Sequence, residues 1–108
     1  LNAVSEGWLS LPRLAALVSE NPARIFGVYP QKGCFTVGAD ADFFVLDMDK
    51  EYIIRDEEQV TACGWTPFDG FHVKGAPYMS IIRGETVMSD GEVVAEKGYG
   101  HYIPRLSR

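Results

Sequence analysis

The sequence predicts an α+β chain, with helices in its first third and mainly antiparallel strands after them. Apolar residues recur three and four positions apart across residues 11–18, which is the spacing of one helix face. After Gly33 the pattern changes to the alternation of strands, and the Asp-Gly pair at 90–91 is a strong hairpin signal. The boundary between the two parts therefore lies near Gly33 and divides the chain into residues 1–32 and 33–108.

The first third is expected to hold two helices. Ser10 can cap the first helix, with Pro12 in its first turn, where a missing N–H costs little. Asn21-Pro22 is expected to end that helix and to start a short one, and Gly27 permits a left-handed exit. The apolar side chains of these helices are Leu11, Leu14, Ala15 and Val18, which form one stripe, and Ile25 and Phe26, which are expected to face inward.

The part after Gly33 is expected to form five or six short strands. The apolar run Phe43–Leu46 is typical of a buried strand, and Tyr52–Ile54 predicts a second one. Further extended segments are Ala76–Arg83, Glu85–Met88 and Glu92–Ala95. The stretch Ala62–Gly75 predicts an ordered loop, because its aromatic side chains would resist solvation.

Composition argues against several classes of protein. The net charge is −5 and the basic residues are scattered, whereas nucleic acids and anionic membranes attract concentrated Lys and Arg. An apolar fraction of 46% is enough for a modest core, and no apolar run approaches the roughly 20 residues of a membrane helix. Cys34 and Cys63 are too few for a disulfide scaffold and are expected to be reduced thiols in the cytoplasm. Because the chain opens with Leu1 inside a helical pattern, we expect a fragment or a processed product.

Three motifs follow one another along the chain. The first joins NPARIFG at Asn21–Gly27 to YPQKG at Tyr29–Gly33, and the second is VGADADFFVLD at Val37–Asp47. The third consists of WTPFDG at Trp65–Gly70, VKG at Val73–Gly75, SIIRG at Ser80–Gly84 and the turn Asp90-Gly91. Together they resemble the end of the cyclic amidohydrolases, the family of dihydroorotase, allantoinase, dihydropyrimidinase and hydantoinase. The first motif and the short acidic tail look most similar to dihydroorotase.

This resemblance implies a metal-dependent hydrolase on a (β/α)8 barrel, beside a composite, urease-like β-sandwich built from both ends of the chain. Residues 1–32 would be the last helices of the barrel, and residues 33–108 the C-terminal portion of the sandwich. In such enzymes two zinc ions activate a hydroxide that attacks a cyclic amide carbonyl. The resemblance places their ligands upstream of this chain. It therefore implies a homo-oligomer, a partner in the missing N-terminal barrel portion, and no catalysis by this chain alone.

The residues themselves predict no catalytic, cofactor-binding or metal site. His72 and His101 lie far apart and outside any zinc motif, and a zinc site around His72 would have to recruit Asp69 or Cys63. No Ser-His-Asp or Cys-His arrangement has supporting context. The turn Gly98–Gly100 lacks the helix start and lysine of a phosphate loop.

Two further groups of residues leave alternatives open. Asp40, Asp42 and Asp47 can be imagined as a carboxylate cluster for Mg²⁺ or Ca²⁺, since alternation places the first two on one face, but turn capping is the favoured reading. The aromatic residues of the second group form either an exposed binding stripe or a surface packed against the missing barrel or a neighbouring subunit. They are Trp65, Phe68, Phe71 and Tyr78.

Two other functions compete with the enzyme fragment. One is a non-catalytic structural or interaction protein that keeps the amidohydrolase fold. The other is a free-standing small β-domain that binds a partner through its aromatic loop, which predicts a complete core and a cooperative monomer. The fragment instead predicts unpaired strand edges and an exposed helix face along Leu11, Leu14 and Val18.

Overall fold

The computed structural model describes residues 1–105, and its main helices lie in the first quarter of the chain. They are α1 (Asn2–Ser5), α2 (Leu11–Ala15), a π-helical segment (Ala16–Glu20) and α3 (Asn21–Phe26). The side chain of Ser10 caps α2 by accepting a hydrogen bond from the backbone N–H of Arg13, as predicted. Gly27 ends α3 in the left-handed conformation, which is also confirmed.

The predicted helix break at Asn21-Pro22 is wrong, because the chain stays helical from residue 11 to residue 26. The backbone N–H of Asn21 bonds to the carbonyl of Ala16, five residues back, instead of the fourth residue back as in an α-helix. A proline ring clashes with the carbonyl four residues before it, and the wider π-helical turn moves that carbonyl aside. Pro22 is thereby accommodated inside one helical run.

One antiparallel sheet follows, with the strand order β1-β2-β3-β4. The strands are β1 (Phe43–Ile53), β2 (His72–Ile82), β3 (Glu85–Ser89) and β4 (Glu92–Val93), and a 3₁₀ turn, Asp56–Glu58, follows β1. Two-residue turns at Arg83-Gly84 and Asp90-Gly91 have positive φ at both residues, as type I′ hairpins require. The predicted turn at Asp90-Gly91 is confirmed, whereas Arg83, expected to be extended, belongs to the other turn. The described residues form four strands instead of five or six, since the segments 43–46 and 52–54 are the two ends of β1, joined through a bulge.

The core of the described chain is much smaller than its apolar composition suggests. Its buried apolar residues are Ala23, Ala76 and Ile81. The run 43–46 was predicted to be a buried strand, but Phe44 is 54% exposed. Ile25 and Phe26, also expected to face inward, are more than two-thirds exposed. A helix stripe or sheet face is buried only when a second layer packs on it, and one short helical run cannot cover both faces of this sheet.

Candidate functional site

Lys32 joins the end of the helical run to the sheet through two carboxylates. Its Nζ lies 2.7 Å from Oδ2 of Asp40 and also contacts Oδ2 of Asp42. The other oxygen of Asp42 accepts the backbone N–H of Arg83 at 2.9 Å, and Gln31 Nε2 donates to Asp40 at 3.2 Å. The helix exit, the entry to β1 and the β2–β3 turn therefore meet here. We call this group of residues the Lys32 junction.

The charges of the Lys32 junction stabilise one another. Partial burial lowers the pKa of Lys32, but the hydrogen bonds and charges of Asp40 and Asp42 outweigh it, so that this pKa is raised. The hydrogen bond from Lys32 is the largest cause that lowers the pKa of the Asp40 carboxyl, against a smaller opposing effect of burial. Both carboxylates are engaged by Lys32, and their arrangement fits capping and ion pairing better than Mg²⁺ or Ca²⁺ binding.

Asp47, the third carboxylate of the imagined cluster, has separate partners. Its Oδ1 accepts the backbone N–H groups of Asp49 and Lys50, each at 3.0 Å. These two bonds turn the chain at the β1 bulge, which lies between Asp47 and Glu51. Asp47 thus acts as a local turn residue, and the structure does not add it to the Lys32 junction.

Tyr99 ties the C-terminal part of the described chain to the same turn. Nη2 of Arg83 donates to the carbonyl of Tyr99 at 2.7 Å, and its guanidinium lies 4.4 Å from the centroid of the Tyr99 ring. The Tyr99 hydroxyl donates to the carbonyl of Ile82 at 2.8 Å. The Arg83 side chain thus holds this tyrosine in place. Sequence reasoning missed Tyr99, because it only weighed the surrounding glycines as a phosphate loop.

The two histidines do not come together. Nε2 of His72 lies 3.5 Å from Oε2 of Glu51 on an open strand surface, and His101 lies exposed in the C-terminal segment. Within residues 1–105 the structure gathers no group of three or more His, Cys, Asp or Glu side chains that could hold a metal ion. The donor set in this range therefore does not fit a two-zinc centre.

Asp69 and Cys63, the other candidate ligands, hold the loop between β1 and β2. Oδ1 of Asp69 accepts the backbone N–H of Asp56 at 3.0 Å, and Oδ1 of Asp56 accepts that of Thr66 at 2.7 Å. The thiol of Cys63 lies 3.0 Å from the hydroxyl of Thr61, and this hydrogen bond is the largest cause that lowers the pKa of Cys63. These contacts agree with the predicted ordered loop up to residue 71, but residues 72–75, which were also predicted to be loop, belong to β2.

An apolar trough of about 730 Å³ lies between the helical run and the β1–β2 part of the sheet. The large apolar side chains that line it are Leu1, Leu11, Leu14, Val18, Phe35, Phe43, Phe44, Leu46, Tyr52 and Val73. Val18 is 57% exposed, so the predicted open helix face is present. Contiguous apolar surface that is left open in this way marks a partner-binding or ligand-binding surface.

The predicted aromatic residues lie outside this trough, and each is about half exposed. Phe68 and Phe71 pack edge to face with ring centroids 5.8 Å apart, which orders one side of the loop before β2. The side chains concerned are Trp65, Phe68, Phe71 and Tyr78. None of the helices described in residues 1–105 has both the length and the apolarity to cross a bilayer.

Comparison with known proteins agrees with this picture. Residues 1–87 match the model of the amidohydrolase family. The chain belongs to the amidohydrolase family. It is 42% identical over 104 residues to an L-hydantoinase of Paenarthrobacter aurescens, and 45% identical over 104 residues to a dihydroorotase of Methanothermobacter thermautotrophicus. Each match covers 96% of this chain but only 23% of the relative, so the chain spans less than a quarter of these proteins.

Solved structures give the same result for this amidohydrolase chain. It superimposes on the L-hydantoinase (dihydropyrimidinase) from Arthrobacter aurescens with a TM-score of 0.89 and 43% identity, covering 93% of this chain and 22% of that one. A D-hydantoinase gives a TM-score of 0.92 at 35% identity, over 96% and 23% of the two chains. The resemblance to the cyclic amidohydrolases is therefore confirmed. The similar identities to hydantoinase and dihydroorotase do not separate the two names.

Proposed function

We propose that this chain is the C-terminal part of a metal-dependent cyclic amidohydrolase, and that it supplies scaffold and packing instead of catalysis. One observation carries the proposal: the chain matches 96% of its own length to relatives of which it spans 23%. The reaction of the whole protein would be hydrolysis of a C–N bond in a cyclic amide, at a binuclear zinc centre held by upstream residues. We favour dihydroorotase over hydantoinase on the motif at residues 21–33.

The proposed division into two domains follows the change from helices to strands along the chain. Residues 1–32 would be the last helices of the barrel, and residues 33–108 the C-terminal share of the composite β-sandwich. Support comes from the helical run, which ends before Lys32, and from the single antiparallel sheet, which begins at Phe43. Both outer strands of this sheet have one edge without a strand partner in residues 1–105, as a sheet completed by another part of the protein requires.

The proposed partners are the N-terminal barrel portion of the same protein and a second subunit, because the apolar trough and the half-exposed aromatic side chains need cover. A free-standing β-domain is less well supported, since such a domain needs a complete core and the described chain buries three apolar residues. The proposed location is the cytoplasm, where free thiols such as Cys34 and Cys63 persist.

Activity assays test the proposal. The complete polypeptide that carries residues 1–108 is loaded with zinc and assayed with dihydroorotate and with hydantoin, and the 108-residue chain is assayed in parallel. We expect hydrolysis of a cyclic amide by the complete polypeptide and none by the chain alone. Turnover by the isolated chain would contradict the scaffold role. Absence of any cyclic amidase activity in the complete, zinc-loaded polypeptide would contradict the enzyme.

A further inference from the structure

The side chain of Asn2, in α1, binds the backbone of β2. Its Nδ2 donates to the carbonyl of His72 at 2.9 Å, and its Oδ1 accepts the N–H of Lys74 at 2.8 Å. The carbonyl of one strand residue and the N–H of the residue two positions later point to the same edge of a strand. The amide of Asn2 therefore makes the two hydrogen bonds that a residue of a neighbouring strand would make.

This contact lies on the edge of β2 that faces away from β1. The carbonyl of Phe71 accepts the N–H of Ile54 on the β1 side, and alternation turns the carbonyl of His72 to the opposite edge. That opposite edge is paired with β3 only from Met79 to Ile82. Asn2 thus completes a stretch of β2 that lies beyond the end of β3.

A second contact, independent of Asn2, brings α1 close to the same stretch. Gly75 has a φ of +89°, and a Cβ placed on it would lie 2.9 Å from Cδ1 and 3.0 Å from Cβ of Leu1. Only a residue without a side chain allows this approach. Gly75 also lies opposite the bulge that separates Asp47 from Glu51 in β1. We call residues 1–26, which comprise α1 and the helical run, the helical segment. The sheet is therefore shaped at this point to accept the start of the helical segment.

The Lys32 junction holds the helical segment at the far end of β2. Asp42, which Lys32 binds, immediately precedes the pairing of Phe43 with Ile81. The stretch of β2 from Lys74 to Ile81 separates the two contacts by about 23 Å, at ~3.3 Å per residue. The apolar trough lies between the helical run and this part of the sheet.

We propose that Asn2 and Lys32 are two clamps that fix how the helical segment lies on the sheet, one at each end of β2. The Asn2 clamp is uncharged and sets the position along β2, since its two hydrogen bonds fit only one register. The Lys32 clamp is ionic and fixes the connection between α3 and β1. Between the clamps the apolar contacts are incomplete, so they leave the helical segment free to slide or tilt unless the clamps hold it. This role specifies which contacts hold the proposed scaffold together, and it does not depend on any hydrolytic activity.

Hydrogen exchange in the complete polypeptide tests the Asn2 clamp. The Lys74 amide is the reporter, and the Asp90 amide, which bonds to the carbonyl of Tyr78 in the same sheet, is the internal reference. We expect Asn2→Ala to speed exchange at Lys74 by about tenfold and to leave Asp90 unchanged. Asn2→Asp keeps the acceptor for Lys74 but sets a carboxylate oxygen against the carbonyl of His72, so Lys74 should lose less protection than in Asn2→Ala. Ser5→Ala is the matched control, because the Ser5 hydroxyl bonds to the carbonyl of Asn2, within α1.

The Lys32 clamp has its own reporter, the Arg83 amide, which bonds to Asp42. Lys32→Met should speed exchange at Arg83 by about three- to tenfold, with Lys74 unaffected. Salt at 1 M should weaken this clamp and leave the Asn2 clamp intact. Unchanged exchange at Lys74 in Asn2→Ala, or equal loss of protection in Asn2→Asp and Asn2→Ala, would overturn the Asn2 clamp. Unchanged exchange at Arg83 in Lys32→Met would overturn the Lys32 clamp. None of these results depends on the activity assays, so they separate this proposal from the proposed function.

Discussion

Replacement of Gly33 by alanine should be among the most destabilising single-methyl changes in this chain. Gly33 has a φ of +85°, and an added Cβ would lie 2.4 Å from Cβ of Ala23 and 3.0 Å from the carbonyl oxygen of Ser19. A left-handed backbone costs a residue with a Cβ about 1–2 kcal/mol. Overpacking against the buried Ala23 costs about 1–3 kcal/mol more. We therefore expect Gly33→Ala to lower the free energy of unfolding by about 2–5 kcal/mol.

Gly38 provides the matched control for this substitution. Its φ is +95°, close to that of Gly33, but nothing lies within 4 Å of an added Cβ. Gly38→Ala should therefore cost only the backbone strain, about 1–2 kcal/mol. The first measurement is urea unfolding of the complete polypeptide. The second is hydrogen exchange at the Val28 amide, whose N–H bonds to the carbonyl of Ala23. If the two variants unfold at the same urea concentration, the close packing of Gly33 on α3 is refuted.

A double substitution tests the same contact from the other side. Ala23→Gly removes the methyl group that an alanine at position 33 would strike, at a helix-propensity cost of about 1 kcal/mol. Combined with Gly33→Ala, it should cost less than the sum of the two single changes, by at least about 1 kcal/mol. Additive costs would show that contact with the Ala23 methyl group does not contribute to the loss in Gly33→Ala.

Further predictions concern the Lys32–Asp40 ion pair, the apolar trough and the stability of the isolated chain. Because the folded pKa of Asp40 lies below its unfolded value of about 3.9, and that of Lys32 above about 10.4, the pair should stabilise the fold fully between these values. The contribution of the pair should fade as pH falls through the folded pKa of Asp40 or rises through that of Lys32. It is measured as the difference in urea midpoint between the unaltered polypeptide and Lys32→Met. A difference that stays unchanged down to pH 2 would contradict this prediction. Arg83 adds a smaller attraction to Asp40. Val18→Ser should destabilise the complete polypeptide by about 1–3 kcal/mol and reduce light scattering by the isolated chain, whereas Val37→Ser, outside the trough, should do neither. The isolated chain should elute as an associated species without a sharp thermal transition, and a cooperatively melting monomer would count against the fragment.

Local signals in the sequence predicted local structure well. The cap at Ser10 depends on a residue three positions later, and the hairpin turn at 90–91 depends on two residues. The π-helical segment was missed, since Asn21-Pro22 is an ordinary stop signal and only the wider turn allows the helix to continue. The sequence predicted that Asp42 caps a turn, but it did not identify the backbone N–H of Arg83 as the group that Asp42 binds.

The contacts that join distant segments had no readable pattern. Asn2 binds the backbone of Lys74, 72 residues away, and Asp42 binds that of Arg83, 41 residues away. Lys32 and Tyr99 are single residues in unremarkable surroundings, and their roles depend on which segments the fold brings together. Periodicity and turn chemistry report on neighbours within about four positions, so they cannot identify such partners.

The failed prediction of a buried strand at Phe43–Leu46 is informative in itself. Phe44 and Val45 are adjacent in β1 and therefore point to opposite faces of the sheet, yet they are 54% and 44% exposed. A strand with apolar side chains on both faces is typical of a sheet that is covered on both sides. The helical segment clamped by Asn2 and Lys32 does not cover both. The apolar composition of β1 therefore fits the environment that this strand has in the complete protein. There we expect further layers to pack against each face of β1.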